Sequence, residues 1–85
     1  MEKIFQYRTS GTCSQMIQVK TDGDIIVDVD FLGGCHGNLQ GIKSLVQGMK
    51  VDEVISRLSG IKCGDKPTSC PDQLARCLNE VKANL

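Results

Sequence analysis

The first third of the chain alternates between apolar and polar residues, and this pattern constrains the fold more than any other feature. Three segments, residues 3–8, 14–20 and 24–32, have apolar side chains at every second position. The apolar positions are Phe5, Tyr7, Ile17, Val19, Ile25, Val27, Val29 and Phe31. A period of two is typical of strands that are buried on one face. We therefore predict three strands in these segments.

The segment 21–23 ends in a glycine and predicts a hairpin between the second and third strands. A three-residue loop, with Gly23 in the left-handed conformation, pairs Val19 with Ile25. Residues that lie directly opposite each other share a face, so this register keeps the apolar side chains together. A two-residue Asp-Gly loop would separate them, and we therefore reject it.

Helical spacing follows the glycine-rich run 33–37. Asn38 is the predicted N-cap of a first helix, Asp52 is the predicted N-cap of a second, and Gly60 ends the second. A third helix is predicted over 70–83. The apolar positions of the first helix are Leu39, Ile42, Leu45, Val46 and Met49. Strands followed by helices predict an α+β fold, a three-stranded antiparallel sheet with about three helices packed on one face.

Composition limits the classes of protein to which the chain can belong. Its 85 residues correspond to a single domain over residues 1–85. Ten basic and ten acidic residues give no net charge, so we expect no nucleic-acid partner. We find no apolar run of about 20 residues and no signal peptide, so we expect a cytoplasmic protein with no membrane partner.

Five cysteines in 85 residues are a high proportion for a cytoplasmic chain, where they indicate metal ligands or redox thiols. Because the second and third strands are antiparallel, Cys13 and Cys35 are expected at the same end of the sheet. Cys35 and Cys70 lie near predicted helix N-termini, which lower thiol pKa values. Cys63 is followed by a glycine that allows close approach of the backbone. We predict that these four cysteines converge.

Four thiolates at one place suit Zn²⁺ or an iron–sulfur cluster. Two alternatives remain open, a redox dithiol without metal and a set of small buried hydrophobic side chains. A reversible disulfide between Cys63 and Cys70, or between Cys35 and Cys70, is the form that a redox dithiol would take.

Each of the remaining candidate residues has a structural role as an alternative to a functional one. Cys77 lies on the apolar stripe of the third helix and is predicted to be a core thiol. His36 is a possible accessory ligand or proton donor, with an exposed loop position as the alternative. Asp72 is a possible accessory residue, but a capping-box-like arrangement with Ser69 or a helix-dipole role is favoured. The loop 33–37 could bind a nucleotide phosphate, although it lacks the GK[ST] ending of a P-loop.

Four segments of the chain carry a resemblance to a known family. They are Gly11-Thr12-Cys13-Ser14, Gly33-Gly34-Cys35-His36-Gly37-Asn38, Ile61-Lys62-Cys63-Gly64, and Lys66-Pro67-Thr68-Ser69-Cys70-Pro71-Asp72-Gln73-Leu74. The last segment contains the letters Thr-Ser-Cys-Pro-Asp, and together the segments resemble the TSCPD-domain family over nearly the whole chain. A related domain in that family lies at the C-terminal end of adenosylcobalamin-dependent ribonucleotide reductases.

The resemblance implies that Cys13, Cys35, Cys63 and Cys70 are the family's cysteine positions. It also implies a link to ribonucleoside-diphosphate reductase and DNA biosynthesis. A chain of 85 residues is too short for the barrel, substrate pocket and cofactor of such a reductase, so we expect no autonomous enzyme. The expected function is an accessory module with a zinc-like site and a ribonucleotide reductase or other redox protein as partner. A redox relay, or a protein similar to iron–sulfur scaffolds, is the alternative.

Overall fold

A computed structural model describes residues 2–9, 14–33 and 36–84. The elements, in chain order, are β1 (Glu2–Arg8), β2 (Ser14–Asp22), β3 (Ile25–Gly33), α1 (His36–Val46), α2 (Val51–Leu58) and α3 (Cys70–Ala83). The strands form one antiparallel sheet in the order β1-β2-β3. The predicted α+β architecture is therefore confirmed over the described residues.

The helices pack on one face of the sheet, and the core lies between them. The buried residues of this core are Ile17, Val19, Ile26 and Val29 from the sheet and Val46, Val51, Val54, Leu74, Cys77, Leu78 and Val81 from the helices. The opposite face exposes Ile4, Gln6 and Arg8 of β1. Burial of a single face explains the alternation of the strands. Within the described residues, no helix is long and apolar enough to cross a bilayer.

The turn of the β2–β3 hairpin differs from the predicted one. Asp22 pairs with Ile25, so Gly23 and Asp24 alone form the turn. Gly23 has a φ of +62°, which is the backbone conformation that a type II′ turn requires at its first central position. The predicted three-residue loop over 21–23 is therefore wrong.

A bulge in β3 explains how Ile26 and Val29 share the core face of the sheet although they are three residues apart. The pairing shifts between Lys20 and Thr21 of β2, so that Val27 is an extra residue in β3. Beyond the bulge, Val19 pairs with Val29 rather than with the first residue of the strand. Ile26, on the turn side of the bulge, is fully buried. Val29 lies on the core face as predicted, but the bulge reverses the alternation on its turn side, where Ile26 and not Ile25 joins the core. The prediction that Ile25 and Val27 share the core face with Val29 is therefore wrong.

α1 begins two residues before the predicted N-cap. Asn38 lies inside the first turn of α1, which starts at His36, and the capping prediction is wrong. An N-cap side chain contributes only about 1 kcal/mol. The packing of α1 on β3, through the buried side chains of Leu39 and Val46, outweighs that preference.

The start of α2 is fixed by the sheet and not by a capping side chain. α2 begins at Val51, and its N-cap is Lys50, whose side chain makes no capping hydrogen bond. The Val51 N–H donates to the Asp24 carbonyl at 2.9 Å, and Lys50 forms a bridge with Ile25. The predicted N-cap, Asp52, lies in the first turn of the helix instead.

Candidate functional site

α3 begins at Cys70, as predicted, because the neighbouring residues stabilise the first turn of a helix. Ser69 is extended, with a φ of −149°, and its Oγ accepts a hydrogen bond from the Asp72 N–H at 3.2 Å. The same hydroxyl donates to the Ile61 carbonyl at 2.7 Å. Pro71 lies in the first turn, where its missing N–H costs no intrahelical hydrogen bond.

The Asp72 carboxylate is the centre of a buried hydrogen-bond network. Its Oδ1 accepts from the Gly60 N–H at 2.7 Å, and its Oδ2 accepts from the Thr68 hydroxyl. The Arg76 guanidinium lies 3.1 Å from Oδ2, and Gln73 donates to the Thr68 Oγ1 at 2.9 Å. The hydrogen bonds from Thr68 and Gly60, with the charge of Arg76, hold the pKa of Asp72 below its ordinary value.

The network joins the end of α2 to the start of α3, and we call residues 60–73 the α2–α3 corner. Sequence reasoning identified the relation between Ser69 and Asp72, because a serine followed three residues later by an acid is a local capping pattern. It did not identify Gly60 or Thr68 as partners of the carboxylate. Gly60 lies 12 residues before Asp72, and no local pattern connects the two positions.

Cys63 lies in this corner on a tight turn. The Lys66 N–H donates to the Cys63 carbonyl at 3.0 Å, and Gly64 between them has a φ of +57°. The Cys63 N–H donates to the Thr68 carbonyl at 3.3 Å, which brings its backbone to a point two residues before Cys70. Cys63 is exposed and Cys70 is buried. The corner therefore combines one accessible and one covered thiol.

The other two predicted ligands lie outside the described residues. Ser14 pairs with Gly33, so the start of β2 lies beside the end of β3, as predicted. Cys13 adjoins the first of these positions and Cys35 follows the second, but their convergence stays a prediction. His36 is the first residue of α1, and its role also stays a prediction.

No group of three metal-ligating side chains is found among residues 2–9, 14–33 and 36–84. The four-cysteine site is not addressed by this observation, because Cys13 and Cys35 are not in those ranges. Within them, Cys63 and Cys70 are the candidate ligands that the corner brings into one region.

A cavity of about 210 Å³ lies between β3 and α1, next to the glycine-rich loop. It is lined by Val29, Asp30, Phe31, Gly33, Leu39, Gln40 and Lys43. The Lys43 ammonium lies 2.9 Å from Asp30 and 3.4 Å from Asp28, and the hydrogen bond to Asp30 raises the pKa of Lys43. Since two carboxylates already neutralise this ammonium, it does not favour the phosphate-binding interpretation of the loop.

Cys77 is a core thiol, as predicted. Its side chain is 1 % exposed and belongs to the central cluster of buried residues. Burial, with a smaller contribution from the nearby charge of Glu80, raises the pKa of Cys77 to about 12. Metal binding and nucleophilic attack both require a thiolate, so Cys77 is unsuited to either at neutral pH.

Replacing Cys77 by serine is expected to lower the free energy of unfolding by about 1–3 kcal/mol, because it buries a hydroxyl among apolar side chains. Urea denaturation measures the difference. The matched control is Cys63→Ser in metal-free protein. This substitution also replaces a sulfur by an oxygen, but at an exposed position, and it is expected to change the free energy of unfolding by less than about 0.5 kcal/mol. Equal effects of the two substitutions would show that the core position of Cys77 is wrong.

A comparison with known protein families identifies the domain. No curated protein and no solved structure matches the chain. A family model described as TSCPD domain matches residues 2–82, and this range contains the whole sheet, the α2–α3 corner and all five cysteines. The chain therefore belongs to the TSCPD domain family.

Proposed function

We propose that this TSCPD domain is an accessory module of a ribonucleotide reductase and that it carries a four-cysteine zinc site. Cys13, Cys35, Cys63 and Cys70 are its ligands. The proposal rests mainly on the α2–α3 corner, where a buried hydrogen-bond network fixes the backbone around two of the four thiols.

The chemistry of the corner suits a soft cation. Thiolate sulfur is the ligand that zinc favours in structural sites, with four ligands in a tetrahedral arrangement. Cys70 lies in the first turn of α3, at the end of the helix where the dipole favours negative charge. Cys63 lies on a turn next to Gly64, which has a left-handed conformation. Because glycine has no side chain, the backbone at this point can approach a bound metal closely.

The four ligands would come as two pairs, Cys13 with Cys35 and Cys63 with Cys70. The backbone pairing of Ser14 with Gly33 supports one pair, because Cys13 and Cys35 flank these positions. The corner supports the other. When bound, zinc would supply a cross-link between sheet and helices, and a chain of 85 residues with a small core gains much from such a cross-link.

The reductase link comes from the resemblance to the C-terminal domain of ribonucleotide reductases. A domain of 85 residues has no room for radical chemistry and a nucleotide pocket. A module that acts beside a catalytic subunit is consistent with both its size and its family.

Metal analysis of tag-free protein, purified without oxygen, tests the zinc site. We expect one equivalent of zinc in the wild-type protein and its loss when any of Cys13, Cys35, Cys63 and Cys70 is replaced by serine. Cys77→Ser is the matched control, because it weakens the core but removes no proposed ligand, and it should retain the metal. Metal-free wild-type protein, or zinc that survives all four substitutions, would contradict the proposal, and bound iron would favour the cluster instead.

A redox relay is the second candidate, and the contrast between exposed Cys63 and buried Cys70 favours it. The Cys63 thiolate would attack a disulfide of the partner, and one partner thiol would leave. Cys70 would then attack the Cys63 sulfur, release the second partner thiol and form a Cys63–Cys70 disulfide. Two electrons and two protons pass from the corner to the partner in this exchange.

Thiol titration distinguishes the relay from the zinc site. A relay loses two thiols on mild oxidation and recovers them on reduction, at a potential of about −220 to −320 mV, near the cytosolic poise. Peptide mapping should locate the new disulfide at Cys63 and Cys70. A zinc site would instead release its metal as its thiols are oxidised.

A further inference from the structure

β1 lies at the edge of the sheet, and its outer side has no backbone partner among the described residues. β1 pairs with β2 along its whole length, and none of the hydrogen bonds outside the regular elements involves Glu2–Arg8. The edge at β3 differs, because Ile25 forms a bridge with Lys50 at the start of that strand. An open edge strand of seven residues is a template for pairing with another strand.

We propose that β1 pairs with β1 of a second copy of this chain. The two strands are antiparallel and are related by a two-fold axis at Phe5. The two three-stranded sheets then become one six-stranded sheet, and the interface is isologous, with the same residues on both sides.

Strand geometry restricts the possible registers of such a pair. Successive residues of β1 direct their N–H and C=O groups alternately toward β2 and toward the open edge. A residue whose groups point outward must face another residue whose groups point outward, so the two partners are both even-numbered or both odd-numbered. Among the antiparallel registers that meet this condition, the one centred on Phe5 is the register that pairs all seven residues of β1.

The side chains of β1 are complementary in this register. On the face that lacks helices, Glu2 already forms an exposed ion pair with Lys20 of β2 at 3.1 Å. In this register Glu2 also lies opposite Arg8 of the second copy, and the two-fold axis repeats this opposite-charge pair. Ile4, which is 60 % exposed, is covered by Gln6 of the second copy. On the helical face, the half-buried Phe5 lies opposite its own equivalent.

A cavity of about 230 Å³ between β1 and α3 lies along the same edge. Its lining includes Tyr7 of β1 and Glu80 of α3. The proposed register puts Lys3 of the second copy opposite Tyr7, on the side where Glu80 lies. A lysine is thus directed toward a carboxylate, which adds a second contact between opposite charges.

Sedimentation analysis of the full chain over a range of concentrations, with chelator present, tests the pairing independently of any metal. We expect a dimer for the wild-type chain. Glu2→Arg and Arg8→Glu each put like charges opposite one another twice, and each should raise the dissociation constant by about tenfold or more. The double variant E2R/R8E exchanges the two charges, restores opposite pairs and should restore the dimer.

Lys62→Glu is the matched control, because it makes the same change of charge as Arg8→Glu at an exposed loop position away from β1. It should leave the dissociation constant unchanged. Circular dichroism of each variant verifies the fold. Three results would each overturn the proposal. The wild-type chain could stay monomeric, both single substitutions could leave the dissociation constant unchanged, or the double variant could dissociate as readily as the single variants.

Hydrogen exchange of the wild-type chain provides a second measurement that needs no substitution. Pairing protects the outward-pointing N–H groups of alternate β1 residues, so their exchange should slow as the protein concentration rises. Exchange of β1 that does not depend on concentration would also overturn the proposal.

Discussion

Replacing Asp72 by alanine is expected to lower the free energy of unfolding by about 3–5 kcal/mol. The substitution leaves the Gly60 N–H and the Thr68 hydroxyl without their acceptor, in a corner where Asp72 itself is only 5 % exposed. Hydrogen bonds to a charged group contribute about 1.5–3 kcal/mol each, and a buried donor that loses its partner has a further cost. Urea denaturation at neutral pH measures the change.

Two further substitutions make this test specific. Asp72→Asn retains the size of the side chain but exchanges one acceptor for a donor, so about half the loss is expected. Asp52→Ala removes a carboxylate of the same type from an exposed ion pair with Lys82 and should change stability by less than about 1 kcal/mol. If Asp52→Ala destabilised the protein as much as Asp72→Ala, the corner network would have no special role.

The lowered pKa of Asp72 also predicts a dependence of stability on pH. Its ordinary value is 3.8, and the folded state holds the pKa below this value. The unfolded chain therefore binds the proton first as the pH falls. The contribution of Asp72 is fully present above its unfolded pKa and is lost as the pH falls through its folded pKa. The difference in stability between wild type and Asp72→Ala should shrink over that acidic range.

Replacing Leu78 by alanine is the second substitution with a large expected effect, a loss of about 2–5 kcal/mol. Leu78 is 0 % exposed and belongs to the cluster in which α3 packs against the sheet. The truncation removes buried methyl groups and leaves a cavity that the surrounding side chains fill only in part. The same urea experiment provides the measurement.

Leu45→Ala is its control, since it makes the same chemical change on α1 at a side chain that is 77 % exposed. We expect a change of less than about 0.5 kcal/mol there. A large loss at Leu45 together with a small loss at Leu78 would mean that the packing of the helices on the sheet is different from the one described.

Leu45 also illustrates how far helical periodicity predicts burial. The sequence includes it in the apolar series of α1, yet Leu39 and Val46 are buried and Leu45 is not. At about 100° per residue, Val46 lies within about 20° of Leu39 around the helix, whereas Leu45 lies about 120° away. α1 packs mainly on β3, so only a narrow face is covered. Periodicity predicted the helix but not the width of its buried face.

The architecture followed from the sequence because alternation and helical spacing are local signals. The strands, the order of elements, the start of α3 at Cys70 and the core position of Cys77 are all confirmed. The turn at Gly23 and the bulge at Val27 were not predicted, because Ile25, Ile26 and Val27 are all apolar and the sequence therefore does not mark where the bulge reverses the alternation. The contact between Gly60 and Asp72 was also missed, because it depends on how α2 and α3 pack together.

The hydrogen-bond network in the α2–α3 corner gives the Thr-Ser-Cys-Pro-Asp sequence of the family a structural role. Thr68, Ser69 and Asp72 direct their polar atoms inward, to one another and to the backbone at Gly60 and Ile61. Their hydrogen bonds within the chain engage the same atoms that would otherwise contact a ligand. The Thr-Ser-Cys-Pro-Asp sequence therefore indicates how a chain turns from one helix into the next. The chain's capacity for chemistry must be judged from its thiols.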